Sequence, residues 1–69
     1  MDAQAIGARL KSLRAGKSRE DVCAEVGISL SALAMYERGE RIPRDEIKLR
    51  FARLYGKSVD EIFYAQEST

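Results

Sequence analysis

The side chains of this chain that could do chemistry are chiefly its cations. Arg9, Lys11, Arg14, Lys17 and Arg19 follow one another with no acid between them, and Arg38, Arg41 and Arg44 crowd a second short segment. Fixed positive charge at this density suits a polyanion, above all a phosphate backbone. Acids collect elsewhere, at Glu20, Asp21 and Glu25 and again at Asp60, Glu61 and Glu67, so the net charge of +1 conceals an uneven distribution. Two readings of it stand: one basic face turned toward phosphates, or ordinary solvated helix faces. Catalytic chemistry has little material. There is no histidine and one cysteine, which leaves metal-ligand clusters and base-assisted nucleophiles almost without donors. No enzyme, metal or cofactor is expected, and Glu20 with Asp21 reads as a charge pair at a helix N-terminus. Cys23 reads as a small buried hydrophobe.

The elements that would position these cations are written in Arg19 to Arg38, REDVCAEVGISLSALAMYER. Counting from Arg19, apolar residues fall at the fourth, eighth, tenth, fifteenth and eighteenth positions: Val22, Val26, Ile28, Leu33 and Tyr36. Cys23 puts a small side chain at the fifth and Gly27 a glycine at the ninth. Two short helices crossing steeply through a tight turn need those types in those places. The apolar residues seal the crossing, the small one lets the backbones approach, and glycine tolerates the left-handed conformation that ends the first helix. The pattern is that of a helix-turn-helix, and it makes DNA recognition the leading expectation.

Around this unit the chain reads as all-α, with no repeat and no alternation suited to a strand. Its 69 residues are enough for one domain, 1-69, with a core near the lower limit for independent folding. Five helices are expected, at about 3-14, 19-26, 29-38, 44-55 and 59-64. The first carries Ile6, Leu10 and Leu13 on one stripe and breaks at Ala15-Gly16. Ser18 and Ser29 are N-caps for the second and third, and Gly27 and Gly39 close them. Pro43 marks the entry to the fourth helix, whose stripe is Ile47, Phe51 and Leu54, and Gly56 ends it. Ser58 and Glu61 make a capping box for the short fifth. The remaining core candidates are Val22, Cys23, Val26, Ile28, Leu33, Tyr36, Ile42, Val59 and Ile62. Leu49 falls off its stripe, and Phe63 and Tyr64 cannot both point inward from one short helix. With no membrane-length apolar run and no leader-like start, a cytoplasmic location is expected.

The chain resembles the Cro and phage-repressor family of helix-turn-helix domains, the XRE family. The resemblance runs from about Ile6 to Phe63, and its strongest words are IGARLKSLR, AEVGIS, YERGERIPRDEIK and YGKSVDEIF. It implies a five-helix phage-repressor-like fold, operator binding as a homodimer and regulation of transcription. It also implies an ion pair between Arg14 and Glu37, tying the first helix to the end of the third. The family's contact positions map onto Ser29, Leu30, Ser31, Ala34, Met35 and Arg38 on the outward face of the third helix. Hydroxyls of Ser29 and Ser31 can pair with bases or phosphates, Leu30, Ala34 and Met35 can touch thymine methyls, and Arg38 can reach a phosphate. Arg19, Arg41 and Arg44 would grip the backbone, with Lys17 and Lys48 as weaker candidates.

Three features depart from the family pattern. Arginine replaces the usual glutamine at position 19, and the link between the first two helices is about two residues shorter than usual. The reading face also has no Asn, Gln or Lys for bidentate base contacts, which points toward low specificity or toward methyl contacts and DNA shape. The first functional expectation is therefore a regulator, a repressor by preference, that binds a palindromic operator as a homodimer joined through Val59, Ile62, Phe63 and Tyr64. The second is the same fold used as a protein-protein interaction module, antitoxin- or antirepressor-like, docking through Leu30, Ala34 and Met35. No small-molecule or membrane partner is indicated.

Overall fold

A computed structural model describes residues 2–65, all of whose regular elements are helical. Helix α1 spans Ala3–Arg14, α2 Arg19–Val26, α3 Leu30–Glu37 and α4 Asp45–Tyr55. The fifth element, α5, is a single π-helical segment, Asp60–Tyr64. The expected all-α, five-helix fold class is the one found. Among the described residues no helix is long and apolar enough to cross a membrane.

Local side-chain chemistry sets the ends of these helices. Asp2 Oδ1 accepts from the Gln4 and Ala5 amides and starts α1, a cap not anticipated from sequence. Ser18 Oγ accepts from the Asp21 amide and Ser29 Oγ from the Ala32 amide, each at 3.0 Å. These bonds satisfy donors that the first turns of α2 and α3 leave without partners. Gly27 ends α2 at φ 79°, ψ 43°, its amide bonded to the Cys23 carbonyl. Ser58 and Glu61 form the full reciprocal box before α5, Ser58 N to Glu61 Oε1 at 2.9 Å and Glu61 N to Ser58 Oγ at 3.0 Å. The bond from the Ser58 amide holds the Glu61 carboxyl below its usual pKa.

The break at Ala15-Gly16 is found as expected. Ala15, not Gly16, carries the unusual backbone, at φ 47° and ψ −114°, while the Lys17 amide closes the turn on the Arg14 carbonyl at 2.8 Å. These angles resemble the first central position of a type II′ turn, where glycine is the favoured residue. The tight link between α1 and α2 therefore holds an alanine in strained geometry.

The core centres on Phe51 of α4, which is fully buried. Tyr36 meets its ring edge-on at 6.2 Å, Tyr55 stacks at 6.1 Å and Phe63 tilts against it at 6.4 Å, the offset and edge geometries that aromatic rings prefer. Ile6, Leu10, Val22, Cys23, Val26, Leu33, Ile47, Ala52 and Ile62 complete it. Leu13, Ile28, Ile42, Leu54 and Val59, expected inside, lie partly buried at its margin. Phe63 turns inward while Tyr64 remains half exposed.

The crossing of α1 and α3 depends on Gly7. A Cβ built there would lie 2.5 Å from the Tyr36 carbonyl oxygen and 2.6 Å from that of Glu37. Only a glycine lets the α1 backbone lie this close to the last turn of α3, and α3 takes its position from that contact.

Candidate nucleic-acid interface

The α2–turn–α3 unit is braced from two sides. On the first, Arg14 forks onto Glu37, Nε to Oε2 at 2.7 Å and Nη2 to Oε1 at 3.1 Å. The two side chains are 13% and 4% exposed, so this is a largely buried bidentate pair, unlike the weak surface contact that an exposed pair would make. The Glu37 hydrogen bond raises the guanidinium pKa further above its ordinary value, and Arg14 Nη1 also donates to the Lys17 carbonyl. On the second side, Arg50 Nη1 donates to the Val26 carbonyl at 3.1 Å and its Nη2 to Glu46 at 2.7 Å, covering the C-terminal end of α2. Elsewhere, Arg9 Nη1 donates to the Ile62 carbonyl and ties α5 to α1.

With its back fixed, α3 presents its other side to an open groove shared with the start of α2. Ser18 and Arg19 line one wall, and Leu30, Ser31, Ala34 and Met35 the other. Leu30 is 50% exposed, Ser31 is exposed, and Ala34 and Met35 are half-buried. Ser29 is exposed, with its oxygen engaged as the α3 cap. The five residues mapped as base-contacting thus lie along the first turns of one short helix.

The cations separate into two groups. Arg19, Arg41 and Arg44 are exposed and form no ion pair among the described residues. Arg38 is exposed but already engaged by Glu40, Nε to Oε2 at 2.7 Å and Nη2 to Oε1 at 3.3 Å. Lys17 faces Glu25 at 3.6 Å across an exposed pair. Glu20 and Glu40 also line the groove, so its charge is more mixed than a count of arginines suggests.

Two sequence expectations are corrected here. Lys48, a weaker phosphate candidate, is only 6% exposed. Its Nζ bonds to the Tyr64 hydroxyl at 2.9 Å and lies 4.9 Å from the Tyr64 ring centroid and 5.8 Å from that of Phe63. This ammonium is spent on the hydroxyl and the aromatic faces, with Asp45 at 3.6 Å. The second correction concerns the subunit contact. Ile62 and Phe63 are 1% and 2% exposed because they close this chain's own core, so neither can face a partner. Of the four residues assigned there, Val59 is partly buried and Tyr64 half exposed; Leu49, also half exposed, lies on α4.

Sequence reasoning did not single out Gly7 or Arg50. A glycine inside an otherwise regular helix costs about 1 kcal/mol relative to alanine, and that cost was the available signal of a close approach at Gly7. Arg50 had none, since its acceptor is a backbone carbonyl on another helix.

The sequence profile of a family described as "Helix-turn-helix domain" matches residues 5–62, most of the chain. No curated protein and no solved structure matches it. The family match points to DNA binding.

Proposed function

The chain belongs to the helix-turn-helix domain family, and from that premise we propose that it is a sequence-selective transcriptional regulator, acting as a repressor by occupying a palindromic operator as a homodimer. The observation that carries this reading is the open side of α3, with Leu30 and Ser31 exposed at its start and Arg19 at the groove edge. At 1.5 Å per residue the eight residues of α3 span about 12 Å, which suits insertion into the major groove of B-DNA. Ser29, Leu30, Ser31, Ala34 and Met35 meet base edges. Arg19, Arg41 and Arg44 hold phosphates, and Lys17 and Arg38 join them only by leaving Glu25 and Glu40. In a dimer, two α3 helices about 34 Å apart would read two half-sites one turn apart. The subunit contact falls to the exposed remainder of the expected patch, Tyr64 and Val59, with Leu49. A DNA partner implies action in the cytoplasm, and domains of this family are typically non-enzymatic.

Selection of bound duplexes from a random pool tests this reading. The expected winner is palindromic with half-sites one turn apart. Recovery of no enriched sequence, together with no retention of duplex in dilute buffer, would refute it. A second reading, a protein-docking module of the antitoxin or antirepressor kind, is favoured by the apolar run Leu30, Ala34 and Met35 and by the neutralisation of Arg38 by Glu40. The same selection separates the two, because a docking module enriches no DNA.

A further inference from the structure

The chemistry of the groove narrows what it can read. Duplex sequence is usually read by forked or amide side chains that pair with two base atoms at once. On the outward side of α3 those groups are missing or occupied. Ser29 Oγ accepts from the Ala32 amide, and Arg38, the fork at the helix end, has its Nε–Nη2 edge taken by Glu40. Between them lie Leu30, Ala34 and Met35, with Ser31 as the uncommitted hydroxyl. Leu30 is half exposed although a leucine gains by burial, and Met35 beside it has a flexible thioether that adapts to irregular apolar shapes. The one apolar feature that a base pair offers in the major groove is the methyl group on pyrimidine C5.

We propose that α3 is a methyl reader: Leu30 and Met35 close over 5-methyl groups of pyrimidines, so the preferred duplex carries thymine or 5-methylcytosine where α3 enters. The inference rests on the DNA-binding reading above. Charge complementarity supports the choice of occupant, because Arg19, unpaired, sits at the rim of the same groove where a phosphate strand would pass. Ser31 then supplies one hydrogen bond that fixes register while the apolar pair supplies discrimination.

The test uses the full chain and four duplexes of two helical turns and equal backbone charge: alternating dA·dT, the same duplex with deoxyuridine for thymidine, alternating dG·dC, and its 5-methylcytosine counterpart. Affinities are read by fluorescence anisotropy at low salt. Each contacted methyl is worth about fourfold in affinity, the value of one buried carbon. Thymidine should beat deoxyuridine by at least that factor, and Leu30→Ala should draw the ratio toward one. A preference within the dA·dT pair alone assigns the methyl source to thymine, and one within the dG·dC pair alone assigns it to 5-methylcytosine. Equal affinities within both pairs, with binding that still falls steeply with salt, overturn the methyl reader and leave DNA binding intact. No binding to any of the four, together with no retention of random-pool duplex in dilute buffer, overturns DNA binding itself.

Discussion

Counting the cations that the fold leaves available gives a number that can be measured. Arg19, Arg41 and Arg44 are exposed and unpaired, whereas Arg38 and Lys17 are engaged by Glu40 and Glu25. The proposed homodimer would therefore bring about six phosphate contacts to a duplex, and log affinity should fall against log salt with a slope of about −5.4. Between 50 and 200 mM salt that is a loss of about 2,000-fold. Removing one contact per subunit with Arg44→Ala should reduce the slope to about −3.6 and the loss to about 150-fold. The opposite change comes from Glu40→Gln, which releases Arg38 and should steepen the slope toward about −7 while tightening binding at low salt. Anisotropy titrations of one fixed duplex across a salt series give all three slopes. A wild-type slope near −9, as five cations per subunit would produce, would show that the Arg38–Glu40 and Lys17–Glu25 pairs dissolve on binding. An Arg44→Ala slope equal to that of the wild type would refute the assignment of Arg44.

Three further outcomes test the fold that carries this surface. Gly7→Ala should destabilise by about 2–3 kcal/mol in urea unfolding, since its Cβ would meet two backbone carbonyl oxygens that cannot swing aside; an effect under about 0.5 kcal/mol would disprove the close crossing. Ala15→Gly should stabilise by about 1 kcal/mol by relieving the backbone at φ 47°, and Gly16→Ala, with open space around it and no positive φ, should also be neutral or stabilising. Tyr55 has a buried hydroxyl without a partner, and burial raises its pKa to about 12. The fold thus favours the neutral phenol, so its contribution is full below pH 10 and is lost between pH 10 and 12, by about 2–3 kcal/mol. Tyr55→Phe should abolish that alkaline flank at little or no cost near neutrality, because it removes an unsatisfied group.

What could be read from the sequence was local and periodic. Gly27, Ser29 and the apolar positions between Val22 and Tyr36 constrain one another over less than twenty residues, and the structure assembles them as that spacing requires. The readings that failed depended on relations that spacing does not encode. Ile62, read both as core and as subunit contact, and Phe63, read as subunit contact, are both buried in this chain's own core; α5 is π-helical, so α-helical periodicity does not say which of its side chains turn inward. Lys48 is a surface residue by type, and only the approach of Tyr64 from another element turns its ammonium inward. The Arg38–Glu40 pair joins residues two apart, which do not face each other along a helix. It forms because α3 ends at Glu37 and the chain turns there. At Ala15 the neighbouring glycine was the natural candidate for the unusual angles, and the turn places them one residue earlier.

The missing side chain at Gly7 has a consequence for how such a protein could change its target. The α1 backbone rests directly against the carbonyls that finish α3, so the inclination of α3 is governed by its seat on α1. Small changes in that seat would pivot Leu30 and Ser31 along the duplex without altering any atom that meets a base. If α3 reads DNA as proposed, target preference has two independent controls, one in the lettering of α3 and one in the bearing on which it turns.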